Sequence, residues 1–84
     1  MISNSSFLEL ADRIEVADDR YGAFASAHEA LGVCLEEWTE LIAAVHANDI
    51  EAQKHEALDL AAALIRWHDA TGIPSFRARS GARA

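Results

Sequence analysis

The chain has 84 residues, 51% of them hydrophobic, and a formal net charge of −7 at pH 7. A chain of this length forms one small domain with a thin core, because it buries only roughly 60–65% of its unfolded surface. The acidic balance argues against general binding of polymeric nucleic acid or of anionic membranes. It does not exclude a nucleotide ligand, because a bound cation reverses the local field.

The composition favours helix over strand. The chain has eighteen alanines and eight leucines, which favour helix, and only eleven residues of Val, Ile and Thr, which favour strand. It also has only one Pro and four Gly, fewer turn-forming residues than a sheet needs. The predicted fold class is all-α, with residues 1–72 as the helical domain and residues 73–84 as a basic C-terminal tail. The opening residues lack the features of a signal peptide and no apolar run approaches eighteen residues, so the expected location is cytoplasmic, without a membrane segment.

The first predicted helix starts at Ser6, because Ser6-x-x-Glu9 has the form of a capping box. Its apolar residues recur at spacings of three and four and form one stripe, made of Phe7, Leu10, Ile14, Ala17 and Tyr21. Gly22 is the expected stop. This short helix should pack across the two helices that follow it.

The second predicted helix runs from about Ala27 to Ala47, after a further capping-box pattern at Ser26-x-x-Glu29. Its core side is expected to carry the apolar residues Leu31, Cys34, Trp38, Ile42 and Val45. The single cysteine, Cys34, is interpreted as a buried structural thiol. Trp38 is interpreted as a core anchor, with an aromatic wall for a nucleobase as the alternative.

The third predicted helix runs from Ile50 to Thr71, with Asp49 as its N-cap and Gly72 as a left-handed residue at its end. It is apolar on two flanks: Ala57, Leu60, Leu64 and Trp67 form one, and Leu58, Ala62 and Ile65 form the other. A single hairpin with a short first helix cannot cover both flanks. We therefore expect a homodimer or homotetramer in which hairpins from two subunits form a four-helix bundle.

The tail from Ile73 to Ala84 carries Arg77, Arg79 and Arg83 and no acid. A basic segment rich in small residues is typical of a disordered terminus. The alternative is that it folds over an acidic site and supplies positive charge for phosphate binding.

A short polar break at Asn48-Asp49 joins the second and third predicted helices into an antiparallel hairpin. Residues equally far from the break then lie at the same height, which places Glu40 opposite Glu56. Glu37 falls opposite Asp59 in the same way. Within each pair, the two residues differ in height along the hairpin by one residue, roughly 1.5 Å of helical rise. The i,i+3 spacing within each helix puts its two acids on one face. Four carboxylates are therefore predicted to converge.

Glu37 falls in the arc of its helix that is expected to be buried, so its ionised carboxylate needs a positive partner. A divalent metal ion is the simplest partner, and an all-oxygen ligand set selects a hard ion, Mg²⁺ or else Mn²⁺. The competing interpretation is a solvated face, since pairs of glutamates are common on exposed helices. Two acidic clusters in register across a hairpin favour the metal site.

The pattern Glu36-Glu37-x-x-Glu40, followed after fifteen residues by Glu56-x-x-Asp59, resembles the two-part signature of the MazG-like all-α nucleoside triphosphate pyrophosphohydrolases. The resemblance covers roughly residues 20–70. It implies a Mg²⁺-dependent hydrolase that cuts (deoxy)nucleoside triphosphates between the α and β phosphates, giving a monophosphate and pyrophosphate. The metal ligands that it implies are Glu37, Glu40, Glu56 and Asp59. It implies catalytic roles for Glu36, Glu37 and Glu40, with Glu36 as an auxiliary ligand or the base that activates water.

The candidates for substrate binding are Arg66, His55, Lys54 and Trp38. Arg66 lies one heptad beyond Asp59 and suits phosphate oxygens, and its alternative role is an ion pair with Asp59 or Asp69. Lys54 is expected to face solvent unless a second subunit approaches it. Two other functions stay open: a non-catalytic helical interaction module, and a regulator that binds nucleotide or metal without turnover.

Overall fold

The computed structural model describes residues 3–78, which form three helices: α1 (Asn4–Tyr21), α2 (Ala27–His46) and α3 (Ile50–Ala70). No strand occurs in this range, so the predicted all-α class is confirmed. α3 is the central helix, because it packs against α2 and also against α1. None of these three helices is both long and apolar enough to cross a membrane.

α1 starts at Asn4, two residues before the predicted start at Ser6. Ser3 is the N-cap, and its hydroxyl oxygen accepts a hydrogen bond from the Ser6 backbone N–H at 3.1 Å. The prediction is wrong because Ser3 offers the same capping oxygen one turn earlier, and an exposed first turn extends at little cost. Gly22 ends the helix as predicted, with a φ of 72° that favours glycine.

The turn between α2 and α3 is made by Asn48 and Asp49, as predicted. The Asp49 N–H donates to the Ala44 carbonyl at 3.0 Å, and the Asn48 N–H donates to the Val45 carbonyl at 3.1 Å. With Asn48 at a φ of 54°, these two bonds form a Schellman motif. Asp49 then caps α3 by accepting from the Ala52 N–H at 3.0 Å. Because only three residues separate α2 from α3, this turn fixes which residues of the two helices lie at the same height.

α3 ends at Ala70, and Gly72 does not take the predicted left-handed conformation. The Gly72 N–H donates to the Asp69 carbonyl at 3.1 Å, and the Ile73 N–H donates to the Ala70 carbonyl at 3.0 Å. These tight i→i−3 turns satisfy the last carbonyls of the helix without a left-handed residue, which is why the prediction is wrong.

A cluster of buried residues lies where the α1–α2 loop, the start of α2 and the end of α3 meet. It consists of Phe24, Ala30 and Ala70, with Val33, Trp67 and Phe76 packed against it. Within the described part of the chain no large side chain is completely buried, which agrees with the expected thin core.

The segment after α3 is attached to the same end of the domain. The Ala27 N–H donates to the Arg77 carbonyl at 2.8 Å, and the Arg77 N–H donates to the Ala25 carbonyl at 2.9 Å, as an isolated parallel bridge. The first part of the predicted tail therefore packs on the helices. Arg79 and Arg83 lie outside the described residues.

The core side predicted for α2 is wrong for four of its five residues. Cys34 is buried as predicted. Five large apolar residues of α2 are 40–53% exposed and recur along one side of the helix, which we call the α2 stripe: Leu31, Leu35, Trp38, Ile42 and Val45. The arc that contains Glu37 faces inward, as expected, and its alanines Ala30 and Ala44 are buried. Small residues such as these alanines let two helices approach closely, and this decides which arc faces α3.

The apolar residues of α1 and α3 are also incompletely covered. At the two ends of the predicted α1 stripe, Phe7 is 55% exposed and Tyr21 is 70% exposed, so the stripe is not covered along its whole length. Each predicted flank of α3 retains an exposed residue, Leu64 at 47% and Ile65 at 41%. As predicted, one copy of the chain does not cover both flanks.

Candidate metal centre

Three carboxylates from the two hairpin helices converge near the middle of the hairpin. Glu37 of α2 and Glu56 and Asp59 of α3 each contribute one carboxylate oxygen, and these oxygens all lie within 4.8 Å of one another. All three residues are partly buried. The register predicted from the two-residue break thus brings together three of the four predicted ligands.

Glu40 and Glu36 lie beside this cluster, and both are exposed. Glu40 is not one of the three converging residues, but its charge raises the pKa of Glu37 and of Glu56. Glu36 lines the cleft next to Glu37. These two predicted catalytic residues therefore border the cluster from its solvent side.

The cluster is electrostatically strained when all its members are ionised. Burial, followed by the charges of Glu40, Asp59 and Glu56, raises the pKa of Glu37 from 4.5 to about 7. Burial is also the largest cause of the raised pKa of Glu56. The same environment extends to Cys34, whose thiol pKa is raised by burial and by the charge of Glu37.

Two carboxylate oxygens in the cluster lack any donor. Oε2 of Glu37 and Oε2 of Glu56 are buried and have no hydrogen-bond partner among the described residues. A buried acceptor without a partner costs about 1–3 kcal/mol, and more when it is charged. Either a proton held between the carboxylates or a cation among them removes this cost. The raised pKa of Glu37 is consistent with a held proton, and an all-oxygen donor set that faces inward is suited to a cation.

Asp59 has a cationic partner, Arg13 of α1, that was not predicted from the sequence. Nη1 of Arg13 forms an ion pair with Oδ1 of Asp59 and also donates to the His55 carbonyl at 3.1 Å. Nη2 of Arg13 lies 2.8 Å from Nδ1 of His55. A signal for this contact exists in the sequence, because Arg13 falls between Leu10 and Ala17 within the apolar stripe of α1. An arginine in such a position is unusual unless an acid faces it.

Arg66, predicted to bind substrate or to pair with Asp59 or Asp69, is held by other groups. Its Nε donates to Oδ1 of Asp18 at 2.9 Å, and its Nη2 donates to the Gly22 carbonyl at 2.8 Å. The guanidinium carbon lies 4.5 Å from the ring centroid of Phe24. The predicted pairing partners are wrong, because α1 packs on α3. In this arrangement Asp18 forms an ion pair with Arg66, and Asp59 forms one with Arg13.

The other predicted substrate-binding residues lie in different surroundings. The Lys54 side chain faces solvent as expected, 70% exposed, with Nζ 3.9 Å from Oε1 of Glu51. His55 faces Arg13. Trp38 is 50% exposed on the α2 stripe and is therefore not the core anchor that the sequence suggested.

A cleft of about 830 Å³ opens between α1 and α2, with α3 as its floor. At one end it contains the carboxylates of Glu36, Glu37 and Asp59 together with Arg13, and at the other it is lined by Arg20, Tyr21, Phe24 and Arg66. Its volume is in the range of small-molecule sites. The arrangement provides room for a ligand beside the carboxylates, with guanidinium groups along its walls.

Comparison with known proteins found no matching family model, no matching curated protein and no matching solved structure. The residue pattern of the two acidic motifs and the geometry of the cleft are thus the basis for a functional proposal.

Proposed function

We propose that this chain is a Mg²⁺-dependent nucleoside triphosphate pyrophosphohydrolase, which cleaves between the α and β phosphates and releases a nucleoside monophosphate and pyrophosphate. The observation that carries the proposal is the meeting of three carboxylates from two helices, with two buried oxygens that lack a donor. The resemblance of the two acidic motifs supplies the reaction type. Mn²⁺ is the alternative ion, because it prefers the same hard oxygen ligands.

Glu37, Glu56 and Asp59 are the residues that would hold the ion, with Glu40 available from the rim. Mg²⁺ in such sites usually keeps several waters and shares its coordination with substrate phosphates, so three protein ligands are sufficient. When bound, the ion would neutralise negative charge on the triphosphate and stabilise the charge that develops during in-line attack.

The side chains of the cleft account for the remaining steps. Glu36 is exposed beside Glu37 and lines the cleft, so it is the candidate base that accepts a proton from the attacking water. Val16 and Val33 give the cleft an apolar wall against which a nucleoside can pack. The protein thus offers a hydrophilic end for the phosphates and a more apolar region for the nucleoside.

We expect pyrophosphate release from at least one canonical or modified (deoxy)nucleoside triphosphate in the presence of Mg²⁺, and none in the presence of a chelator. A colorimetric pyrophosphate assay over a panel of nucleotides measures this directly. A nucleotide-dependent rise in melting temperature without pyrophosphate release would instead indicate a regulator that binds nucleotide without turnover. No release and no thermal shift across the panel would favour the helical interaction module.

We further infer that two copies of the chain associate through the α2 stripe. Its five apolar residues recur at spacings of four and three and are 40–53% exposed, a pattern typical of a seam between helices. Two hairpins joined in this way would complete the predicted four-helix bundle.

Sedimentation velocity at micromolar concentration is expected to show a dimer or tetramer, and Trp38→Glu is expected to shift it toward monomer, because the variant places a charge in the proposed seam. Glu9→Gln on α1, an exposed position away from the α2 stripe, serves as the control. A wild-type chain that sediments as a stable folded monomer would remove the inference.

A further inference from the structure

Arg13 is bound directly to one of the three converging carboxylates. Its side chain is 23% exposed and that of Asp59 is 39% exposed, so their ion pair is partly shielded from solvent. Through it, α1 is attached to α3 at the level of the carboxylate cluster. Arg13 also lines the cleft, so it lies beside the space that a ligand of the cleft would occupy.

A guanidinium and a divalent ion compete for the same carboxylate. Oδ1 of Asp59 accepts from Arg13, and Asp59 also contributes an oxygen to the cluster. An ion held by Glu37, Glu56 and Asp59 would lie within a few ångströms of the guanidinium, and two positive charges at that distance repel each other. We therefore expect the ion pair with Arg13 and a divalent ion at Asp59 to exclude each other.

We propose that Arg13 exchanges partners during the catalytic cycle: it neutralises Asp59 while no ion is bound, and it binds phosphate oxygens of the triphosphate once a divalent ion has taken Asp59. The proposal rests on the proposed function and names the residue that couples ion binding to substrate binding. Arginine suits this second role because its planar, forked donors match phosphate oxygens. The coupling is reciprocal, so nucleotide should also strengthen ion binding.

Isothermal titration of Mg²⁺ alone into wild type, Arg13→Gln and Arg20→Gln tests the first half. Arg13→Gln is expected to bind Mg²⁺ roughly three- to tenfold more tightly, because Asp59 is no longer paired. Arg20→Gln makes the same change of charge on the same helix and the same cleft wall, away from Asp59, and is expected to change the affinity less than about twofold. Unchanged or weaker binding by Arg13→Gln would overturn the exchange and identify Arg13 as an outer partner that orients Asp59.

Binding of a non-hydrolysable α,β-methylene triphosphate at saturating Mg²⁺ tests the second half. Arg13→Gln is expected to bind this analogue roughly tenfold more weakly or worse, because a charge-assisted hydrogen bond is lost. An unchanged affinity for the analogue would overturn the phosphate-binding role.

A measurement on the wild type decides the matter if Arg13→Gln does not fold. In nuclear magnetic resonance spectra of the imidazole nitrogens, saturating Mg²⁺ is expected to shift the His55 ring signals, because the 2.8 Å contact between His55 and Arg13 is broken. His68, whose side chain is 83% exposed, serves as the internal control. If Mg²⁺ binds and the His55 signals do not shift, the partner exchange of Arg13 is overturned, and the ion site is not. Failure of both wild type and Arg13→Gln to bind Mg²⁺ would overturn the ion site as well.

Discussion

Glu37→Gln and Asp59→Asn are each expected to lower the rate of nucleotide hydrolysis by about a hundredfold or more, the usual cost of losing one preorganised electrostatic group in an active site. Both substitutions keep the size of the side chain and remove one negative charge. Without that charge the cluster would hold the proposed divalent ion less well, and the triphosphate would lose the positive charge that offsets its own. The rate of pyrophosphate release at fixed Mg²⁺ is the measurement.

The same variants separate an ion site from a solvated acidic face. At about 100 times its dissociation constant, Mg²⁺ should stabilise the wild type by about 2.7 kcal/mol, and it should stabilise the variants much less. Glu51→Gln is the matched control, because the Glu51 side chain is 78% exposed and lies outside the cluster. Melting temperatures, with and without Mg²⁺, and hydrolysis rates of Glu37→Gln and Asp59→Asn that match those of this control would show that the carboxylates are not ligands. The helical interaction module would then be the better interpretation than an enzyme.

The dependence of stability on pH gives a further readout for Glu37→Gln. The pKa of Glu37 in the folded protein, about 7, lies above its ordinary value of 4.5, so the folded state holds more protons than the unfolded state between these values. The stabilisation that the protonated carboxyl provides is complete below the unfolded pKa and is lost as the pH rises through about 7. In the presence of a chelator, wild type should therefore lose stability relative to Glu37→Gln between about pH 5 and about pH 8. If the difference between the urea midpoints of the two proteins stays constant over this pH range, the raised pKa of Glu37 in the folded protein is contradicted.

The register of the carboxylates was accessible from the sequence because its determinants are local. Asp49 follows a one-residue left-handed turn at Asn48, and this pair fixes which residues of α2 and α3 face one another. Given this short connection, the height of Glu37 relative to Asp59 follows from the helical rise alone.

The orientation of α2 about its own axis and the contacts of α1 depend on tertiary packing. They could not be predicted from local sequence patterns in the same way. α2 has two apolar arcs, and hydrophobicity alone favours the one with Leu31 and Trp38, whereas close approach of the helices selects the one lined by alanines. The ion pairs of Arg13 with Asp59 and of Arg66 with Asp18 join residues 46 and 48 positions apart. No local pattern specifies such a partner, although an arginine within an apolar stripe does indicate that one exists.

Arg66→Ala is expected to reduce the free energy of unfolding by about 2–4 kcal/mol, through lost packing, a lost ion pair and a lost hydrogen bond to a carbonyl. The Arg66 side chain is 6% exposed and ties α3 to Asp18 and to the Gly22 carbonyl, while its guanidinium lies over Phe24. A cost of this size is a large part of the roughly 5 kcal/mol that a small domain possesses, so the melting temperature should fall by about 10–25 °C.

The matched control for Arg66→Ala is Asp18→Asn, which keeps an acceptor for Nε and alters a side chain that is 50% exposed. It should cost about 1 kcal/mol or less, because a half-exposed charge is readily replaced by solvent and by the amide oxygen. Urea unfolding of both variants without nucleotide measures the two values. If Arg66→Ala unfolds like wild type and instead raises KM for the triphosphate, the predicted substrate contact is correct. The buried surroundings of the guanidinium favour the opposite result, a loss of stability that is the same with and without nucleotide.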